Sequence, residues 1–96
     1  MPVDASFVPK LAKKVRLRFD RHSGKHMLIY PERGLELNDS AAEIAKRCDG
    51  ARTVMDIAND IVKEQGLHPR QIEEVLGDIL AFVEDLRKKG LLETSE

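Results

Sequence analysis

Residues 15–40 read VRLRFDRHSGKHMLIYPERGLELNDS, and the changes of period within them decide the fold. Val15, Leu17 and Phe19 alternate with Arg16 and Arg18, the two-residue period of a strand with one buried face. Phe19 shares that face with Val15 and Leu17, which assigns it to the core. Asp20-Arg21-His22-Ser23-Gly24 is turn chemistry, and KHMLIY at 25–30 is a β-rich run ended by Pro31, so residues 15–30 read as a hairpin. Pro31-Glu32-Arg33-Gly34 makes a second turn, and Gly34-Leu35-Glu36-Leu37 supplies a brief third strand with Leu35 and Leu37 on one face. At Asn38-Asp39-Ser40 the period changes again, because these side-chain oxygens accept from the free N–H groups of a first helical turn.

Downstream, Ile44, Ala45 and Cys48 form the apolar stripe of a first helix that Asp49-Gly50 stops, the glycine suiting a left-handed C-terminal position. Thr53 followed by Asp56 repeats the start signal, and Val54, Ile57, Ala58, Ile61 and Val62 fall at helical spacing until Gly66. Asp49-Gly50-Ala51-Arg52 joins these two helices tightly. Pro69 opens a third and longest helix, with Ile72, Val75, Leu76, Ile79, Leu80, Val83 and Leu86 as a broad stripe ending before Gly90. Upstream, residues 1–12 mix Pro2, Pro9 and small residues without a period and read as an irregular, mobile arm. Leu91 and Leu92 cap the core or form a short extended piece, and Glu93 to Glu96 should fray. The predicted class is α+β: three short antiparallel strands followed by three helices, a winged helix-turn-helix-like outline in which the helices cover the apolar face of the sheet. Residues 13–93 make a single domain.

The 96 residues suffice for one core, and 42% hydrophobic with 34% charged side chains fits a globular protein rather than a disordered or fibrous one. A single cysteine, Cys48, allows no internal disulfide, so a reducing, cytoplasmic setting is expected. No apolar run reaches membrane-spanning length, and the N-terminus lacks a signal-peptide core, so neither export nor anchoring is expected. The net charge of −1 hides an asymmetry. Residues 1–22 carry Lys10, Lys13, Lys14, Arg16, Arg18 and Arg21 against Asp4 and Asp20, whereas the rest holds 10 basic and 15 acidic groups.

Catalytic chemistry is sparse. His22, His26, His68 and Cys48 fall in no metal-ligand spacing, and His22 and His26 flank a turn rather than stack on a helix. Cys48 reads as a small buried hydrophobe. No phosphate loop or nucleophile elbow is present, so no enzyme, cofactor or metal is expected. A winged-helix outline raises DNA binding as an alternative, yet the polar face of helix three would present Glu73, Glu74, Asp78, Glu84 and Asp85 to the phosphates. Dimerisation through a free sheet edge is a second alternative; a monomer is expected, with dimers accessible at high concentration.

Strand three is the more informative element. It is joined only to strand two, so its far side is a candidate free edge. The stripe of helix three is wider than one seam requires, with Leu76 and Leu80 extending one flank and Val75 and Phe82 the other. A free edge beside an apolar wall suits an extended peptide bound by strand addition.

Several segments together resemble the PqqD family. They are Pro9-Lys10-Leu11 leading into Val15-Arg16-Leu17-Arg18-Phe19-Asp20, LIYPE at 28–32, Leu35-Glu36-Leu37-Asn38 with Ala41-Ala42-Glu43-Ile44, Cys48-Asp49-Gly50 before Thr53-Val54, and Gly90-Leu91-Leu92. The resemblance runs from about Pro9 to Leu92 and implies a non-catalytic peptide chaperone of pyrroloquinoline quinone (PQQ) biosynthesis. Such a protein binds the precursor peptide PqqA and presents it to PqqE, a radical S-adenosylmethionine enzyme that cross-links a glutamate to a tyrosine. The family is similar to the RiPP recognition elements, which take a leader peptide along strand three against helix three. Carried onto this chain, the resemblance places the peptide beside Gly34, Leu35, Glu36 and Leu37 and against part of Leu76, Ile79, Leu80 and Val83. From the charge pattern and the absence of a long apolar run, no nucleic-acid or membrane partner is expected. Some relatives occur fused to a neighbouring pathway protein, whereas this chain is expected to stand alone.

Overall fold

The computed structural model describes residues 3–31 and 33–93. Strands β1 (Arg16–Asp20), β2 (Lys25–Tyr30) and β3 (Arg33–Leu37) form one antiparallel sheet in the order β1-β2-β3. Helices α1 (Asp39–Lys46), α2 (Val54–Glu64) and α3 (Ile72–Lys88) follow, α3 preceded by a 3-10 turn at Pro69–Gln71. This is the predicted α+β order. Glu32 of the second turn, residues 1–2 of the arm and residues 94–96 of the tail lie outside the described residues.

The register Leu17↔Leu28↔Leu35 sets three leucines in one row across the sheet, and α1 packs on β2 and β3 while α2 packs on α3. Leu28, Ile57, Ile79 and Leu86 are wholly buried, each contributing about 1.5–3 kcal/mol of transfer free energy. Phe19 corrects the expectation of a core residue. It shares the face of Val15, but burial decays along the strand from Val15 at 7% exposed to Phe19 at 56%. Beside the β1–β2 turn, the Phe19 ring meets His26 edge-on at 5.0 Å.

The helix starts follow the capping chemistry. Asn38 Oδ1 accepts from Ala41 N–H at 2.7 Å, and Thr53 with Asp56 forms a reciprocal capping box. Gly66 and Gly90, at φ +64° and +73°, end α2 and α3. Leu67 N–H donates to Val62 C=O and Leu91 N–H to Leu86 C=O, the paired closure that a left-handed residue permits. Helix α1 departs from expectation by stopping at Lys46 with Arg47 as its cap, short of Gly50. Asp49 instead forms an extended pair with Lys10, and the Lys10 side chain lies so close over Gly50 that an added Cβ would sit 2.8 Å from Lys10 Cδ.

That contact belongs to an N-terminal arm that is irregular but fastened. Ala5, Phe7 and Pro9 carbonyls accept from the N–H groups of Met55, Val54 and Gly50, and Pro9 is buried. Leu11 pairs with Leu92, and Glu93 N–H donates to Lys10 C=O at 2.7 Å, so Glu93 is held where fraying was expected. Its ties to α2 are long in sequence, and no local period announces them.

Candidate functional site: the seam between strand three and helix three

Strand β3 pairs with β2 along one side, and among the described residues no strand lies on its other side. In an antiparallel strand successive backbone groups point alternately to the two sides, so half of those on β3 point away from β2. Along this edge Gly34 and Glu36 are exposed, Leu35 is half-buried and Leu37 is buried. Gly34 keeps the edge low; a Cβ there would meet Met27 Cε at 3.3 Å.

Which flank of α3 faces this edge follows from its two ends. Past the last turn of α3, Lys89, Gly90 and Leu91 line a cavity with Tyr30 and Arg33, where β3 begins. Toward the start of α3, Val75 and Asp78 line another cavity with Ser40 and Ile44 of α1, which follows the end of β3, and with Ile61 and Gln65 on the α2 side. The two elements therefore run antiparallel. Phe82, half-buried, lies four residues after Asp78 and seven before Lys89, on the same helical face as both.

The four α3 residues that the resemblance implies differ in burial. Ile79 and Val83 have no exposed surface, so they back the wall from within the core rather than form its surface. Leu76 and Leu80 are half-buried on the opposite flank, in line with Glu84. The Glu84 carboxyl is held below its usual range chiefly by hydrogen bonds from Arg87, with a lesser contribution from the nearby Val3 backbone, so that flank turns toward the arm. Of the eight residues, Gly34, Leu35, Glu36 and Leu37 lie together on the edge strand, whereas on α3 Val75 and Phe82 are half-buried on the flank opposite Leu76 and Leu80. Both flanks are equally apolar in sequence, and only the packing distinguishes them.

Other chemistry is confined. Cys48 Sγ is buried and donates to Ile44 C=O at 3.3 Å; burial, aided by the Asp49 charge, pushes its pKa up to about 12, far from a nucleophilic thiolate. Among the described residues no group of three or more His, Cys, Asp or Glu side chains is placed to hold a metal. No described helix is long and apolar enough to cross a membrane. Along α3, Glu73, Glu74, Asp78 and Asp85 are exposed, a poor surface for phosphates.

The profile of one family, described as Coenzyme PQQ synthesis protein D (PqqD), matches residues 25–92. A protein of Xanthomonas euvesicatoria named PqqA binding protein is 37% identical over 84 residues, covering 88% of each chain. The Bifunctional coenzyme PQQ synthesis protein C/D of Methylorubrum extorquens is 41% identical over 88 residues, 92% of this chain; the match spans only 23% of that longer protein. The solution NMR structure of the PqqD truncation of Methylobacterium extorquens PqqCD, described as a functional, stand-alone RiPP recognition element, superposes with a TM-score of 0.81 at 36% identity. It covers 96% of this chain and 95% of that one. The crystal structure of PqqD from Xanthomonas campestris gives 0.59 at 30% identity, over 96% and 99% of the two chains.

Proposed function

The chain belongs to the PqqD family, and on that premise we propose that it is a non-catalytic, cytoplasmic peptide chaperone of PQQ biosynthesis. It takes the precursor peptide PqqA as an added strand along Gly34–Leu37 and presents it to the radical S-adenosylmethionine enzyme PqqE. The reading rests on the edge of β3, which no strand covers among the described residues, together with the half-buried Val75 and Phe82 on one flank of α3. Main-chain bonds along such an edge supply affinity without demanding a sequence, and the half-buried Leu35 and Phe82 offer apolar contact to alternate peptide side chains. A relative named PqqA binding protein, at 37% identity, supplies the peptide's identity.

Calorimetry of the purified chain with a synthetic PqqA-type peptide, a scrambled peptide and a short DNA duplex tests binding. Saturable heat with the authentic peptide alone is expected, accompanied by chemical-shift changes at the amides of Gly34 to Leu37. No heat with the peptide, together with salt-sensitive binding to the duplex, would replace the reading with a DNA-binding winged helix. Presentation is tested separately: the chain should raise the rate at which PqqE cross-links PqqA, and an unchanged rate would remove PqqE as its partner.

A further inference from the structure

The seam between β3 and α3 has ends of opposite charge. Where β3 begins, Lys14, Arg33 and Lys89 line a recess of about 350 Å³ whose other walls include Tyr30 and Leu91. Asp85 engages Lys89 at 2.6 Å, but among the described residues Lys14 and Arg33 make no ion pair. Lys89, Gly90 and Leu91 N–H groups engage the carbonyls of Asp85, Arg87 and Leu86, which reduces the negative carbonyl charge that the end of α3 sets against these cations. Beyond the end of β3, Glu74 and Asp78 rim a cavity of about 180 Å³ enclosed by α1, α2 and α3, with an apolar floor that includes Ile44, Ile61 and Ile79. Glu43 also lines it but is held by Arg47 and Lys46, so the free negative charge there belongs to Glu74 and Asp78, neither of which pairs with a described cation.

Asp78 and Lys89 are eleven residues apart on one helix, about 16 Å at 1.5 Å per residue. An extended peptide covers that distance in about five residues at ~3.3 Å each. We propose that the seam reads the direction of its peptide by charge, seating an acidic side chain over Lys14 and Arg33 and a basic one four or six residues away, on the same face of the added strand, over Glu74 and Asp78. This rests on strand addition along β3 and adds a constraint to it. Main-chain pairing alone accepts either direction, whereas the reversed segment would set like charges against each other at both ends.

The test pairs a synthetic PqqA-type peptide, and forms with its acidic or its basic residues replaced by glutamine, with the double variants Lys14→Gln/Arg33→Gln and Glu74→Gln/Asp78→Asn. All four positions are exposed, so the variants should keep the fold, which thermal melting checks. Each double variant should weaken the authentic peptide about three- to fivefold at low salt. The loss should vanish against the peptide lacking the matching charges, and a nitroxide at the peptide's acidic end should broaden the amides of Arg33 and Lys89 rather than that of Ser40. Affinities within twofold of the parent would overturn the charge reading. If the β3 amides still shift in that case, strand addition stands without it; if they never shift, strand addition itself is wrong.

Discussion

Arg47 Nε donates to Asp60 Oδ2 at 2.8 Å, and this bond ties the C-terminal cap of α1 to the middle of α2. The rest of the guanidinium is occupied as well, by the carbonyl and Oε1 of Glu43 and by Glu64 Oε2, each at 2.8 Å. Only 7% of the Arg47 side chain is exposed, whereas Asp60 and Glu64 remain largely open to water. Arg47→Ala should therefore cost about 2 kcal/mol, less than the loss of a fully buried pair, while Arg47→Met, which refills the volume, should cost less. Urea unfolding measures both, and an unchanged midpoint for the alanine variant would show that the cluster contributes nothing to stability.

The same cluster sets a pH dependence. Hydrogen bonds from Arg47 hold Glu43 and Asp60 below their ordinary values of 4.5 and 3.8. The folded state thus binds these protons less readily than the unfolded state. Its advantage is complete above about pH 4.5 and is lost as the pH falls through the depressed values. Acid destabilisation should be steeper in the parent than in Arg47→Met, and parallel curves of urea midpoint against pH would contradict the assignment.

Cys48 offers a probe of opening. With its pKa pushed up to about 12 and its sulfur enclosed, it should resist iodoacetamide at pH 8 in the native chain and react once urea unfolds it. Native labelling at the rate of a free thiol would mean that the Ile44–Cys48 region is open in solution.

Proline scanning of the edge separates folding from binding. Successive N–H groups on β3 point alternately toward β2 and away from it, so of Leu35→Pro and Glu36→Pro one removes a sheet bond and the other an outward donor. One variant should lose stability. The other should stay folded and lose peptide affinity at least tenfold by calorimetry. Two folded variants with parental affinity would sink strand addition at this edge.

The two apolar residues Phe19 and Leu28 should respond unequally to truncation. Leu28→Ala, at a fully buried site, should cost about 3 kcal/mol, and Phe19→Ala, more than half exposed, about 0.5 kcal/mol. Comparable losses in chemical denaturation would show that Phe19 is covered in solution.

These contrasts mark what the sequence discloses and what it withholds. Alternation at 15–19, the caps at Asn38 and Thr53 and the glycines at 66 and 90 are local signals, and the elements follow them closely. Phe19 has the correct parity, but how far the helical layer reaches along a strand is a tertiary quantity that parity does not carry. The arm binds α2 through carbonyls that every residue possesses, so no side-chain pattern reveals it. At the site, Gly34 to Leu37 are legible because an edge strand is a matter of chain order. Val75 and Phe82 become distinguishable from Leu76 and Leu80 only once Lys89 is seen beside Arg33 and Glu84 beside Val3.

The Leu11–Leu92 pairing also determines how the chain responds to traction. The pair is antiparallel, so the segments before Leu11 and after Leu92 leave it on the same side. Tension between the two ends therefore peels the bonds in turn instead of shearing them together. Holds such as that of Glu93 on Lys10 must give way before Ala12 lets go of Leu91. A load carried through both ends would be absorbed by this zipper at low force, leaving the sheet edge and its helical wall undisturbed until the last tooth opens.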